Sequence, residues 1–269
     1  TMSSFENRQV DHINRKRLNV VSGNYTDDGK IVSLVVDVVR EDGFATAKLF
    51  LESGFNVIIT GRDEERLRNA AERLDSSNCR YLVWDVSDIT AIAPAIDAAH
   101  AFFGNIDVFV NNAGIVSDED ITQKDFLEKT ETAWDNTMNV NLKGLFFALQ
   151  AETRYMVDHE IKGNIVNLCS EMGFRPAYNA YCISKWGVRG MTSGIAKNIA
   201  KYGIVLNGVA PGETATEILR QKEGERRLNK SPRGERAMSS EIAEAIYFLA
   251  NSRNIIGEVL VSDGGNRLY

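Results

Sequence analysis

Long apolar runs, metal-ligand spacings and an excess of positive charge are all missing from this chain of 269 residues. Each absence removes a class of function. No stretch approaches the ~20 apolar residues of a membrane-spanning helix, and the polar segment Met2 to Arg17 has no signal-peptide core. The expectation is a soluble, cytoplasmic protein with no membrane partner. The formal net charge is −6, and the short basic run Arg15-Lys16-Arg17 does not reverse it, which argues against nucleic acid as the main partner. The cysteines, Cys79, Cys169 and Cys182, are odd in number and lack ligand spacing, as reduced thiols in a reducing compartment would be. His12, His100 and His159 are scattered along the chain, so no metal is expected. With only four prolines, no low-complexity tract and no internal repeat, nothing marks a linker to a second domain.

What the chain does have is alternation. Apolar strand-like runs occur at Ile31 to Val36, Asn56 to Thr60, Cys79 to Trp84, Ile106 to Val110, Gly163 to Leu168, Ile204 to Val209 and Val259 to Val261. Between them lie helix-like stretches: Ala45 to Ser53, Glu64 to Leu74, Ile89 to Phe103, Trp134 to Val157, Tyr181 to Tyr202 and Ser240 to Ala250. This rhythm of β-α-β units predicts an α/β fold, a single-domain doubly wound (Rossmann-type) parallel sheet with helices on both faces. Residues 1–28 read as an N-terminal extension and residues 29–269 as the domain.

The pentapeptide Tyr181-Cys182-Ile183-Ser184-Lys185 places a phenol and an ammonium one helical turn apart. A cation beside a phenol favours the phenolate and brings proton transfer toward neutral pH. Upstream, Ser170 follows the apolar run Ile165 to Leu168, which would deliver its hydroxyl to the C-terminal edge of a strand, where ligands bind open α/β sheets. Asn111-Asn112-Ala113-Gly114 follows another strand-like run, Asn141 sits in Asn139-Val140-Asn141-Leu142, and Pro211-Gly212 follows a third. Together, from about Gly29 to Gly265, these motifs resemble the classical short-chain dehydrogenase/reductase family.

The resemblance implies a set of roles. Tyr181 would be the acid/base, Ser170 would hold the substrate oxygen, Lys185 would bind the nicotinamide ribose and favour the tyrosinate, and Asn141 would orient a water in a proton relay. Asp85 and Val86 resemble the adenine contact, and Asn112, Ala113 and Gly114 the contact on the adenosine ribose side. Pro211, Gly212, Thr214 and Thr216 resemble the segment closing over nicotinamide and phosphate. Arg62, after the second strand, stands where a guanidinium accommodates the 2′-phosphate of NADP, so NADP(H) is favoured over NAD(H). The interval from Ser170 to Tyr181 is about two residues shorter than usual, so either the loop is trimmed or the serine is displaced.

The first strand-to-helix turn departs from the family. The glycine pattern of a dinucleotide site falls on Val36-Asp37-Val38-Val39-Arg40-Glu41-Asp42-Gly43, where only Gly43 remains. Asp37 and Glu41 occupy glycine positions, and like-charge repulsion with a diphosphate is unfavourable by ~1 kcal/mol each at ε ~80; Arg40 offsets part of it. A rival register, Ser22 to Gly29, keeps more glycine but leaves too long a segment before Gly54.

The leading function is hydride transfer between NADP(H) and a small-molecule carbonyl or secondary alcohol. The alternative is a non-catalytic scaffold, oligomer subunit or nucleotide sensor. The charged segment Glu217 to Glu235 resembles the substrate loop, and Arg175 and Tyr178 are candidates to face a polar substrate. By the same resemblance, the long helices bearing Phe146, Phe147, Trp186 and Met191 would build a homodimer or homotetramer.

Overall fold

A computed structural model of the chain describes residues 30–214 and 231–268. Seven strands form one sheet: β1 (Val32–Val36), β2 (Asn56–Gly61), β3 (Cys79–Val83), β4 (Val108–Asn111), β5 (Asn164–Leu168), β6 (Val205–Pro211) and β7 (Val259–Ser262). Their order is β3-β2-β1-β4-β5-β6-β7, with every neighbouring pair parallel. The order reverses between β1 and β4, where Val36 is level with Asn111. Such a switch point opens a crevice at the strand C-termini.

Parallel strands covered on both faces read as unbroken apolar runs, and β1 and β2 are buried at every position. Alternate residues feed two cores. Leu34, Ile58, Phe109, Ile165 and Leu206 pack on one face, against α3 (Ile92–Phe103), α5 (Leu145–Asp158) and α6 (Ala180–Ile199). Val35, Val57, Val110, Val166 and Val209 pack on the other, against α1 (Glu41–Glu52), α2 (Glu64–Leu74) and α7 (Ser239–Ala250).

Most element ends lie within a few residues of the sequence expectation, and three differences are instructive. Strand β4 begins at Val108 because the Asp107 carboxylate takes the Val32 N–H at 3.0 Å in place of a ladder carbonyl. Helix α1 begins at Glu41 rather than Ala45; its first-turn acids, Glu41 and Asp42, complement the helix dipole. The stretch Trp134 to Val157 is not one α-helix. It is α4 (Glu131–Met138), a π-helical segment over Asn139–Gly144, and then α5. Among the described residues, no helix is long and apolar enough to cross a membrane.

Candidate active site

Helix α6 starts where it does because the Asn179 side chain accepts the Cys182 N–H at 2.8 Å, an N-cap. That cap puts Tyr181 in the first turn and Lys185 one turn later on the same side. Lys185 is buried. Its Nζ donates to the Leu168 carbonyl at 2.9 Å and lies 5.8 Å from the centroid of the Tyr181 ring. Ser170, two residues past β5, lines the same cavity wall as Tyr181, and its hydroxyl acts to lower the phenol's pKa. Its Oγ also accepts the Met172 N–H at 3.2 Å, which caps a tight 3₁₀ turn over Glu171–Phe174. This turn lies within the short interval between Ser170 and Tyr181.

Burial dominates the titration of the pair. It pushes the Tyr181 phenol up to about 12, against the lowering effects of the Ser170 hydroxyl and the Arg40 charge. It pulls Lys185 down to about 8, a shift opposed by Cys169 and reinforced by Arg40. The phenol of the protein alone is therefore protonated at neutral pH, not shifted toward phenolate as Lys185 alone would suggest.

Asn141 lies in the π-helical segment and is buried. Its side chain pairs with the Ile115 backbone like a neighbouring strand, accepting the N–H at 2.7 Å and donating to the carbonyl at 2.8 Å. A further bond reaches Ser184 Oγ at 3.2 Å. Gly114 sits between Asn141 and Lys185: a Cβ there would stand 3.4 Å from Lys185 Nζ and 3.6 Å from Asn141 Oδ1. Beneath them, Asn111 donates to Glu152 Oε2 at 3.0 Å and to Asn167 Oδ1 at 3.1 Å, and Asn167 donates to Thr192 Oγ1 at 3.0 Å. Glu152 is fully buried, Oε1 has no partner among the described residues, and burial raises its carboxyl to about 8.

Two cavities meet along this edge. The catalytic one, about 470 Å³, is walled by Ser170, Tyr181, Lys185, Asn112, Gly114, Pro211, Gly212 and Thr214. The other, about 740 Å³, is walled by Arg62, Asp85, Val86, Ala113 and the turn residues Asp37 to Glu41 apart from Val38. Arg62 is exposed at its rim beside Arg66. Asp63 is occupied as the N-cap of α2, accepting the Arg66 N–H at 3.0 Å. Asp85 accepts two bonds from Ser87.

The turn from β1 to α1 runs through Asp37–Arg40. Asp37 has φ +58°, the left-handed region in which a glycine would be at ease and an aspartate is tolerated. Its carboxylate accepts Arg40 Nε at 2.9 Å, and its carbonyl accepts Asn112 Nδ2 at 2.9 Å. Gly43 lines neither cavity; a Cβ there would meet Asn112 Nδ2 and the Asp37 carbonyl, both at 2.7 Å. Its missing side chain allows this close packing behind the turn. Burial raises both Asp37 and Asp42, against Arg40 in the first case and a Ser239 hydrogen bond in the second. With Arg40, Arg62 and Arg66 set around Asp37, the donor set suits the phosphates of a dinucleotide.

Thr216 and the rival register Ser22 to Gly29 lie outside the described residues, as does most of Glu217 to Glu235. Arg175 does not reach the catalytic cavity: it is tied to Glu171 at 2.9 Å and to the Asn266 carbonyl at 3.0 Å. Tyr178 does line it and is exposed. Cys182 is buried, with its thiol raised by burial. His100 and His159, far apart in the chain, stack with ring centroids 5.0 Å apart around Tyr155, away from these cavities. Among the described residues, no group of three or more His, Cys, Asp or Glu could hold a metal. Sequence reasoning missed Arg66 and the backbone partners Leu168 and Ile115. Arg66 was signalled by its place three residues after a capping aspartate, whereas carbonyl partners leave no mark in residue identity.

A parallel sheet with a switch-point crevice, a buried lysine, and a Ser–Tyr pair on its wall define the nicotinamide-dinucleotide class of α/β oxidoreductases. The family described as enoyl-(acyl carrier protein) reductase matches residues 43–267. The chain is 36% identical over 248 residues to a 3-oxoacyl-[acyl-carrier-protein] reductase FabG of Thermotoga maritima, covering 88% of this chain and 98% of the relative. It is 32% identical to a gluconate 5-dehydrogenase of Gluconobacter oxydans, covering 87% and 93%. Among solved structures, ElxO with NADP bound superposes with a TM-score of 0.80 at 30% identity, covering 89% of this chain and all of that one. An actinorhodin polyketide ketoreductase variant with NADPH gives 0.82 at 25%, covering 91% and 100%. The chain belongs to the classical short-chain dehydrogenase/reductase family and is an enzyme of that family.

Proposed function

We propose that the protein interconverts a small-molecule carbonyl and a secondary alcohol with NADP(H), and that Tyr181 is its acid/base. The observation carrying this reading is that Ser170, Tyr181 and Lys185 wall one cavity, with Lys185 buried beside the Tyr181 ring. When bound, the reduced nicotinamide supplies the hydride. A phenol protonated at neutral pH is the form that donates to the oxygen of a carbonyl being reduced, because a developing alkoxide is far more basic than a phenolate. Ser170 Oγ, on the same cavity wall, holds the same oxygen. Lys185, still largely cationic below about pH 8, stabilises the tyrosinate left behind. Asn141 fixes the Ile115 segment against Ser184 and orients the water of a proton relay from the lysine to solvent.

The adenosine half is assigned to Asp85, Val86, Asn112, Ala113 and Gly114, and the nicotinamide side to Pro211, Gly212, Thr214 and Thr216. Arg62 favours NADP(H): it stands exposed at the rim, and the neighbouring acid, Asp63, is spent on capping α2. The two solved neighbours described above hold NADP and NADPH. The pairing surface of a homodimer or homotetramer is assigned to α5 and α6, where Phe146, Val157 and Trp186 are exposed, whereas Phe147 and Met191 pack against the core. Calorimetric titration with NADPH and NADH, followed by a carbonyl screen monitored by NADPH oxidation, tests the reading. Tighter binding of NADPH with turnover of a carbonyl supports it; no binding of either cofactor at millimolar concentration refutes it.

A further inference from the structure

We infer that the diphosphate of the dinucleotide is received by the Arg40 guanidinium, with Asp37 as its positioning residue, in place of the backbone N–H groups of a glycine-rich turn. The inference rests on the dinucleotide reading above and concerns how this chain, lacking the glycines, meets that ligand.

Among the described residues, Arg40 alone lines both cavities. A dinucleotide that lays its adenosine in one and its nicotinamide in the other must carry its diphosphate past this side chain. Arg62 and Arg66 line only the larger cavity, and Lys185 only the catalytic one. The Arg40 charge is felt on both sides, at Asp37 and Asp42 in the turn and at Tyr181 and Lys185 on the catalytic wall.

The guanidinium is also oriented. Asp37 holds Nε at 2.9 Å, and both side chains remain partly open to solvent, at 30% for Arg40 and 24% for Asp37. A guanidinium carries five N–H bonds. The four on Nη1 and Nη2 are taken by no described residue, and they form the fork that matches phosphate oxygens. The left-handed backbone at Asp37 completes the picture. The turn keeps the shape a glycine would give it, while its side chain serves the arginine three residues on. Asp37 thus supports an anion site indirectly, although its own charge opposes an anion.

Calorimetry of the full chain with NADPH, ADP-ribose and adenosine 2′-monophosphate separates the possibilities, with thermal melting to verify that each variant is folded. Arg40→Gln is expected to weaken NADPH and ADP-ribose about tenfold, equivalent to about 1.4 kcal/mol, and to leave adenosine 2′-monophosphate unchanged. Asp37→Asn, which keeps a residue tolerant of the left-handed conformation, is expected to weaken NADPH several-fold because the guanidinium loses its anchor. Unchanged ADP-ribose binding by Arg40→Gln overturns the inference alone. So does an equal loss for adenosine 2′-monophosphate, which would make Arg40 a reader of the ribose phosphate, and so does tighter NADPH binding by Asp37→Asn, which would make Asp37 only a repelling charge. Wild-type protein that binds neither NADPH nor ADP-ribose overturns the dinucleotide reading itself, and this inference with it.

Discussion

The catalytic wall and the dinucleotide turn share one edge of the sheet, yet they are built on different terms. On the wall, each of these polar side chains is fixed by a backbone partner that its position dictates: Lys185 by the Leu168 carbonyl, Asn141 by the Ile115 backbone, Ser170 by the Met172 N–H. Residue type and place are inseparable there. At the turn, Asp37 adopts φ +58°, a conformation that glycine takes most easily, with its carboxylate engaged by Arg40. A left-handed turn can be carried by an aspartate when the residue tolerates the conformation and its charge is compensated. A proton donor has no such substitute.

Changing the wall should therefore abolish chemistry and spare binding. Tyr181→Phe is expected to lower carbonyl reduction by about 10²–10⁴-fold, the usual contribution of a positioned general acid, with NADPH affinity by calorimetry unchanged. Retained turnover would remove Tyr181 from its role. Changing the turn should do the reverse, and damage the fold as well. Gly43→Ala would drive a Cβ to 2.7 Å from both Asn112 Nδ2 and the Asp37 carbonyl. Overpacking of this kind costs about 1–3 kcal/mol, so the urea midpoint should fall and NADPH binding should weaken; an unshifted midpoint would mean that the turn and Asn112 separate at little cost.

A milder change at the rim sharpens the contrast within the binding half. Arg62→Gln should weaken NADPH about tenfold, about 1.4 kcal/mol, and leave NADH alone. Equal losses for both cofactors would reassign Arg62 to general electrostatics. A pH-dependent effect concerns the carboxyl beneath the wall. Burial raises Glu152 from its ordinary value of 4.5 to about 8 in the folded protein. The folded state thus holds a proton that the unfolded state has released, and its contribution is complete below about 4.5 and lost progressively as pH rises through about 8. Glu152→Gln should remove that downward slope from the melting temperature between those pH values; an identical slope in wild type and variant would show that Glu152 is ionised in the native core.

The sequence disclosed most of the scaffold because doubly covered parallel strands are apolar without interruption, and all seven runs became strands with ends displaced by a few residues at most. Tyr181, Lys185 and Ser170 were legible for a related reason: their spacing follows from helix geometry and from the end of β5. Less visible were features carried by conformation or by backbone partners. Nothing in Asn139-Val140-Asn141 signals a π-helical segment, and Gly144 at its end reads equally as an ordinary helical glycine. The i, i+3 spacing of Asp37 and Arg40 is readable, but pairing depends on the sign of a dihedral angle. The stacking of His100 on His159 arises only when α3 and the end of α5 come together.

The π-helical segment over Asn139–Gly144 also sets a phase relation. Such a segment inserts one extra residue into a helix, and each residue of an α-helix advances the angular position of its side chain by ~100°. Here the insertion separates Asn141, which must point at Ile115, from Leu145, Ala148, Leu149, Glu152, Tyr155 and Met156, which must point into the core. Shortening the segment by a single residue would rotate the whole buried seam of α5 away from the sheet while leaving every one of its side chains unchanged. In this stretch the count of residues is under tighter constraint than their identity.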